Sequence, residues 1–152
     1  MKCNIQKAIL QNMLSKVQGF TEKKSTLPIL SHILLETVGD SLHVKATDLH
    51  TSIQVKSPCD VLQPGACAIN GKSFYDIIRE LPDQVLEISI EDNARAHISV
   101  ENNKIKMNVM DPEEYPMIEF TDIDKGYTVD LSVMKPMICL YTHLTLPTIY
   151  SV

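Results

Sequence analysis

Asp48 and His50, two residues apart, are the side chains in this sequence that come closest to an acid/base pair. A carboxylate beside an imidazole can help it act as a general base, so an enzyme that uses this pair is one function that the sequence leaves open. An aspartate at the start of a turn also accepts hydrogen bonds from backbone N–H groups. Because the pair lies between two predicted strands, we interpret Asp48 as a turn residue and predict no catalytic residues in the chain.

The triplet Gly71-Lys72-Ser73 resembles the end of a phosphate-binding loop. That motif needs four residues between its two glycines, so that backbone N–H groups curl around a phosphate. Here five residues separate Gly65 from Gly71, and they are typical of a strand. We therefore interpret the triplet as the start of a helix, and an enzyme that uses Lys72 stays an alternative.

The histidines and cysteines lack the spacing of a metal site. The five histidines form no HxH or HExxH motif, and the four cysteines form no CxxC pair. Protein zinc sites depend on such short spacings. The sequence therefore predicts no metal site and no cofactor, and we interpret the cysteines as buried thiols of a reducing cytoplasm. The cysteines are Cys3, Cys59, Cys67 and Cys139.

Basic and amide side chains lie on the polar face of one predicted helix, in the loop after it, and on a second helix. Together they could bind duplex phosphates without reading bases. An ordinary solvated surface is the alternative, and the formal net charge of −5 argues against a chain that coats itself with nucleic acid. The candidate DNA-binding residues are Lys7, Gln11, Lys23, Lys24, Lys72 and Arg79.

Two predicted helices must position these side chains. Between Gln6 and Gln18 the apolar residues have the spacing of one helical face, and Gly19 is predicted to end that helix. Between Ser73 and Leu81 they recur at i, i+3, i+4 and i+7. The first apolar face comprises Ile9, Leu10, Met13, Leu14 and Val17, and the second comprises Phe74, Ile77, Ile78 and Leu81.

Extended segments surround each helix in the same order. The predicted strands are 2–5, 32–38, 42–47 and 52–57 around the first helix, and 66–69, 85–90, 96–100 and 104–109 around the second. The order βαβββ therefore occurs twice, offset by about 65 residues. Two such units can join their sheets, so we predict one α+β domain with both helices on one face of an antiparallel sheet.

Composition and the distribution of charged residues determine the predicted domain limits. The chain of 152 residues is 44% hydrophobic, which is too apolar for a disordered protein, and it contains no apolar run long enough to span a membrane. We place one domain at residues 1–120 and a linker with the first strand of a truncated second domain at 121–138. No Lys, Arg, Asp or Glu follows Lys135, and we interpret residues 139–152 as a non-native or read-through tail.

Four motifs resemble the first domain of the bacterial DNA polymerase III beta sliding clamp family. The resemblance extends over about residues 1–135, and its most specific part is the spacing between the first two motifs. That domain is itself a doubled βαβββ unit, which agrees with the repeat found above. The motifs are Thr26–Leu30, Ala46–Leu49, Phe74–Arg79 and Met110–Pro116.

The resemblance implies a DNA-clamp fold and a non-catalytic function. Members are cytoplasmic homodimeric rings that encircle duplex DNA and tether the replicative polymerase, although they are grouped with the DNA-directed DNA polymerase holoenzyme, a nucleotidyltransferase. DNA polymerase III core and the clamp loader would bind later domains. The family places basic residues facing the hole at the positions of Lys24 and Lys72, which makes these two the strongest DNA-contact candidates. A homo-oligomeric binding module of the same fold without a DNA role is the alternative.

The resemblance also implies a subunit interface. The strand from Lys104 to Val109 would be an exposed sheet edge that pairs with the third domain of the other protomer. By the period of two, alternate apolar residues of this strand share one face, and two residues of the second helix could extend the apolar patch. The predicted interface residues are Lys104, Ile105, Met107, Ile77 and Leu81.

Overall fold

The computed structural model describes residues 1–21, 27–91, 95–101, 103–116, 130 and 132–134. The chain divides into two compact units, Met1–Ile118 and Glu119–Val152, and almost all the described residues belong to the first. Three predicted features therefore lie outside the described residues, namely Lys23 and Lys24, most of the strand at 127–130, and the tail. Asp130 is described, and it lies outside any strand, where its carboxylate accepts a hydrogen bond from the Ser132 amide at 2.8 Å.

Within residues 1–116 the described part of the chain contains nine strands, two α-helices and two short 3-10 helices, and residues 132–134 are also helical. Its elements are β1 (Lys2–Gln6), α1 (Lys7–Thr21), a 3-10 helix (Pro28–Ser31), β2 (His32–Val38), β3 (Ser41–Thr47), β4 (Ser52–Pro58), β5 (Asp60–Gln63), β6 (Gly65–Asn70), α2 (Gly71–Glu80), β7 (Val85–Glu91), β8 (Arg95–Val100), β9 (Asn103–Met110) and a second 3-10 helix (Pro112–Glu114). The doubled βαβββ order and the α+β class are confirmed.

The first helix differs from its prediction at both its end and its buried face. Gly19 lies inside α1, which continues to Thr21, so the prediction that Gly19 ends the helix was wrong. The helix continues because Thr21 is buried and Phe20 packs against the core. Ile9, predicted to face the core, is 38% exposed. The buried stripe is therefore narrower than predicted and comprises Leu10, Met13, Leu14, Val17 and Thr21.

The second helix begins two residues earlier than predicted, at Gly71. Asn70 caps it, since its side-chain oxygen accepts a hydrogen bond from the Ser73 amide at 3.0 Å. This satisfies one of the N–H groups that a helix start leaves without an intrahelical partner. Phe74 and Ile78 are fully buried. The Gly-Lys-Ser triplet is thus a helix start that follows a strand, as predicted, and it does not form a phosphate-binding loop.

The two helices pack against each other in antiparallel directions. At one end, a Cβ added at Gly71 would lie 3.0 Å from methyl groups of Thr21 and Ile33, so the start of α2 touches the end of α1. At the other end, the Lys7 amide donates to the Gln84 carbonyl at 2.9 Å, so the start of α1 lies beside the segment that follows α2. A larger residue at Gly71 would therefore require the Thr21 and Ile33 side chains to move.

The two repeats exchange their first strands. Strands β2, β3 and β4 form one antiparallel meander, and β7, β8 and β9 form the other. The first strand of each repeat pairs with the meander of the other, β1 with β7 and β6 with β2. This reciprocal addition joins both halves into one nine-stranded sheet in the order β4-β3-β2-β6-β9-β8-β7-β1-β5.

Strand β5 was not predicted, and it closes the sheet. It follows β4 after a single residue, Cys59, yet the two strands occupy opposite ends of the strand order. The sheet must therefore curl until its ends meet. The Cys59 amide donates to the Asp40 carbonyl at 3.0 Å and so fixes this bend. The concave side of the curled sheet holds the core, to which both helices contribute their buried residues.

The outer face of the sheet is polar, as its alternating burial requires. In β3, Leu42, Val44 and Ala46 are buried, and the residues between them are partly exposed. The Lys45 ammonium lies 2.6 Å from the Glu36 carboxylate of the neighbouring strand. Both helices therefore lie on one face of the antiparallel sheet, as predicted, and the other face meets solvent.

Candidate nucleic-acid interface

Lys72 lies on the second residue of α2 and is exposed. Beside it is an open depression of about 350 Å³, lined by Thr21, Ser31, Asn70, Lys72 and Ser73. Hydroxyl, amide and ammonium groups therefore surround a helix N-terminus, where the helix dipole adds partial positive charge. The arrangement suits an anion such as a phosphate, and Lys72 has no ion-pair partner within the described residues.

Arg79 lies at the other end of α2, where acidic neighbours reduce its charge. Its guanidinium is 3.2 Å from the Glu80 carboxylate and 3.8 Å from that of Asp76. All three side chains are largely exposed, so these pairs contribute little to stability, but they must loosen before Arg79 can bind a phosphate. Arg79 is therefore a weaker contact candidate than Lys72.

The outward face of α1 differs from the predicted one. Lys7 and Gln11 are half-buried at the margin of the helix, and Lys16 is the charged residue on the exposed face of α1. The reason is that Ile9 is exposed. The buried stripe lies further from Ile9 than predicted, so the exposed face of the helix is rotated toward that residue. Lys16 is exposed on α1 and was missed, because it lies outside the polar face predicted from the spacing. The most exposed line comprises Ala8, Asn12, Ser15 and Gly19.

The predicted DNA-binding residues lie in two groups, one at each end of the antiparallel helix pair. Lys7 starts α1 and lies at the same end of the pair as Arg79, which is near the end of α2. Lys72 lies at the opposite end, next to Thr21, and Lys23 and Lys24 follow Thr21 in the sequence. With a rise of about 1.5 Å per residue, Lys72 and Arg79 are about 10 Å apart along the helix axis. The structure thus places the described candidates at both ends of one helix pair.

Strand β9 carries the residues predicted for a subunit interface. Ile105 and Met107 are half-buried against the core, whereas Lys104 and Lys106 point to the other face and are exposed. β9 pairs with β8 along Asn103–Asn108, and within the described residues no second strand pairs with this stretch. The edge is shorter than predicted, since Val109 pairs with Ile69 of β6 and is buried.

Ile77 and Leu81 complete the predicted interface patch. Both are half-buried and pack against the margin of the same core as Ile105 and Met107. Their neighbours Phe74 and Ile78 are fully buried. The core therefore buries one side of α2 completely and leaves its flank, at Ile77 and Leu81, partly exposed.

Asp48 acts as a turn residue, in agreement with the interpretation from the sequence. One oxygen of its carboxylate accepts hydrogen bonds from the His50 amide at 3.1 Å and the Thr51 amide at 2.7 Å. Leu49 between them has a positive φ of 72°. These bonds hold a tight link between β3 and β4.

No group of three or more His, Cys, Asp or Glu side chains is placed to hold a metal ion in the part of the chain that the structure describes. None of its helices combines the length and the apolar character needed to cross a membrane.

Comparisons with known proteins give consistent matches. The family described as "DNA polymerase III beta subunit, N-terminal domain" matches residues 1–119. The beta sliding clamp of Chlamydia pneumoniae is 31% identical over 138 residues, which cover 91% of this chain and 38% of that protein. That of Helicobacter pylori (strain ATCC 700392 / 26695) is 33% identical over 135 residues, which cover 87% and 35%.

Solved structures of beta clamps resemble this fold at similar identity. Caulobacter crescentus pol III beta superimposes with a TM-score of 0.73 at 32% identity, over 78% of this chain and 32% of that one. The Helicobacter pylori beta clamp bound to a DNA ligase peptide gives a TM-score of 0.74 at 31% identity, over 80% and 34%. The chain therefore spans between 32% and 38% of the length of these relatives.

Proposed function

Because this chain belongs to the DNA polymerase III beta subunit family through that family's N-terminal domain, we propose that it supplies one domain of a ring that encircles duplex DNA. The ring would be a cytoplasmic homodimer without catalytic activity, and it would tether the replicative polymerase to DNA. The observation that carries the proposal is the antiparallel helix pair on the concave face of the sheet, with basic side chains at both of its ends.

Weak phosphate contacts suit such a ring. Lys72 and Lys7 can each neutralise a phosphate, and no side chain on the exposed line of α1 is charged. Contacts to phosphates carry no sequence information, so a ring could slide along the duplex. Encirclement, and not tight binding, would then keep the ring on DNA. The net charge of −5 agrees with this, since no large basic surface is needed.

The DNA proposal is tested by the salt dependence of binding. We expect the chain alone to bind duplex DNA with a Kd no tighter than about 10⁻⁴ to 10⁻⁶ M, as in non-specific contact. Changing Lys24→Glu and Lys72→Glu together should make the plot of log K against log salt shallower by about 2, because each lysine releases about one counterion. Fluorescence anisotropy with a labelled duplex at low salt measures both quantities.

Lys56→Glu is the matched control for this experiment. Like each lysine of the double variant, it is a reversal of one charge, but Lys56 lies opposite His43 on the outer face of the sheet. This control should leave the slope unchanged. Equal slopes for the double variant and the unchanged chain would overturn the DNA assignment and would favour a binding module of the same fold without a DNA role.

We also propose that the open stretch of β9 is a subunit junction. A ring of such domains needs a junction on each side of every domain. Within the described residues, pairing with a single strand is found for β4, β5 and residues Asn103–Asn108 of β9. Unpaired N–H and C=O groups along an edge strand favour pairing with another chain. Lys104 and Lys106 would favour an acidic partner.

The junction proposal predicts that this chain self-associates through β9. At concentrations of tens of micromolar its solution mass should exceed that of a monomer, and Ile105→Asp with Met107→Asp should restore the monomer mass. Leu62→Asp is the control, because Leu62 is 54% exposed on β5 and lies away from this edge. Multi-angle light scattering measures the mass, and circular dichroism checks the fold. A purely monomeric chain whose β9 amides exchange rapidly with solvent would contradict the prediction.

Polymerase, clamp-loader and ligase partners are proposed for the full ring only. A solved relative, the Helicobacter pylori beta clamp, is bound to a DNA ligase peptide. We propose that DNA polymerase III core and the clamp loader bind domains other than this one. Partner peptides should therefore bind this chain by itself weakly or not at all.

A further inference from the structure

Cys3 and Cys59 lie side by side where the curled sheet closes. Cys3 is in β1, opposite Val61 of β5, and Cys59 is the residue that joins β4 to β5. Cys59 directly precedes Asp60, which pairs with Asn4, the neighbour of Cys3 in β1. The two thiols are close enough for each to affect the titration of the other. The bond from the Cys59 amide to Asp40 holds the backbone of this bend in place.

The two thiols differ in access to solvent. Cys3 is fully buried in the core, whereas Cys59 is only partly buried. Burial raises the pKa of the Cys3 thiol to about 12, and it raises the pKa of the Cys59 thiol as well. Since the thiolate is the form that reacts with oxidants, both react slowly at neutral pH. A dissolved oxidant can reach Cys59 first.

We propose that Cys59 and Cys3 are a redox-active pair that closes to a reversible disulfide when a peroxide oxidises Cys59. In the first step the Cys59 sulfur attacks hydrogen peroxide, the O–O bond breaks, and a sulfenic acid and one water form. In the second step the Cys3 sulfur attacks the Cys59 sulfur, the S–O bond breaks, and a second water leaves. Two thiols lose two electrons and two protons, and one peroxide is reduced to two waters.

The disulfide would join the first strand of the domain to the bend that closes its sheet. The loop between the two cysteines contains α1 and the whole first meander. Closing a loop of about 57 residues restricts the unfolded chain and should raise the midpoint of thermal unfolding by about 10 °C. A thiol reductant should reverse the shift. The proposal concerns the domain itself and holds whether or not the chain binds DNA.

Cys67 could compete with Cys3 to form the disulfide with Cys59. It lies in β6, is buried, and is close enough to Cys3 for Cys3 to affect the titration of Cys67. However, Cys67 is as inaccessible as Cys3, and its pKa is likewise raised to about 12 by burial. Access and pKa therefore do not distinguish the two thiols, but Cys3 is the one that acts on Cys59. Oxidation that begins at Cys59 should for that reason select Cys3 as the second sulfur.

The experiment treats the whole chain with millimolar hydrogen peroxide and maps the product by mass spectrometry. We expect a loss of about 2 Da and a cross-linked peptide pair that contains Cys3 and Cys59. Trypsin leaves Cys59 and Cys67 in one peptide, and additional cleavage at Asp60 separates them. Cys59→Ser should abolish the cross-link and the thermal shift, whereas Cys139→Ser should keep both.

The pH dependence of the rate gives a second readout. Because the pKa of Cys59 is above its usual value of 9.0, the thiolate fraction at pH 7–8 is small and rises about tenfold per pH unit. The rate of cross-linking should rise by the same factor from pH 7 to pH 8. Any one of three results would overturn the proposal: a cross-link to Cys67, irreversible oxidation of Cys59 without a cross-link, or an unchanged mass after prolonged treatment.

Discussion

Replacing Phe74 by alanine should lower the free energy of unfolding by about 3–5 kcal/mol. Phe74 is the largest of the fully buried side chains and anchors α2 to the core. Truncation removes its buried surface and leaves a cavity that the close-packed helices and sheet cannot fill. Since the whole free energy of unfolding of a typical domain is about 5–15 kcal/mol, much of the population should unfold at moderate denaturant concentrations.

Urea denaturation followed by circular dichroism measures this loss. Lys72→Ala is the matched control, because Lys72 is exposed on the same helix and should change the free energy of unfolding by no more than about 0.5 kcal/mol. The comparison separates the two sides of α2, since its buried side holds the domain together and its exposed end carries the proposed DNA contact. A loss below about 1 kcal/mol for Phe74→Ala would mean that α2 is not anchored as described.

Replacing Tyr115 by phenylalanine should lower the free energy of unfolding by about 1–3 kcal/mol. The Tyr115 hydroxyl accepts a hydrogen bond from the Thr47 amide and donates one to the His32 carbonyl, each at 3.2 Å. Tyr115 is buried, so phenylalanine would leave an N–H and a C=O group without partners inside the protein. These two bonds join the segment after β9 to strands β2 and β3. The same urea titration measures the loss.

The contribution of the Tyr115 hydroxyl to the free energy of unfolding should also depend on pH. Burial raises the pKa of the Tyr115 hydroxyl above its usual value of 10.0. In the unfolded chain this hydroxyl ionises first, so its contribution to stability is complete below pH 10 and decreases as the pH rises above it. The free energy of unfolding of Tyr115→Phe should therefore decrease less steeply above pH 10 than that of the unchanged chain. Identical slopes of stability against pH for both proteins above pH 10 would show that the hydroxyl is not buried.

Local patterns in the sequence determined the helices, most strands and the repeat. The apolar spacing of α2 and the alternation in β3 arise from residues close together in the chain, and burying one face of each element requires such spacing. The family resemblance was likewise readable from short motifs, and it is confirmed over residues 1–119. The limits of α1 were not readable, because contacts of Phe20 and Thr21 with the core outweigh the tendency of Gly19 to end a helix.

Long-range pairing was decided by the tertiary structure alone. No local pattern indicates that β1 and β6 exchange between the repeats, since each pairs with a strand far away in sequence. β5 has four residues between Cys59 and Pro64, too few for a periodic signal, and it forms because β1 offers it an open edge. The contact of Cys3 with Cys59 exists only because of that closure.

The candidate DNA-binding site also depends partly on residue types in the sequence and partly on the tertiary structure. Residue types alone selected Lys7, Lys72 and Arg79, because cations bind phosphates wherever the fold presents them. The tertiary structure decided that these three residues lie at opposite ends of an antiparallel helix pair, and that Arg79 is ion-paired while Lys72 is not paired within the described residues. It also ended the open edge of β9 before Val109, since β6 reaches that residue. Positions and partners depend on packing between distant segments, which the order of residues along the chain does not display.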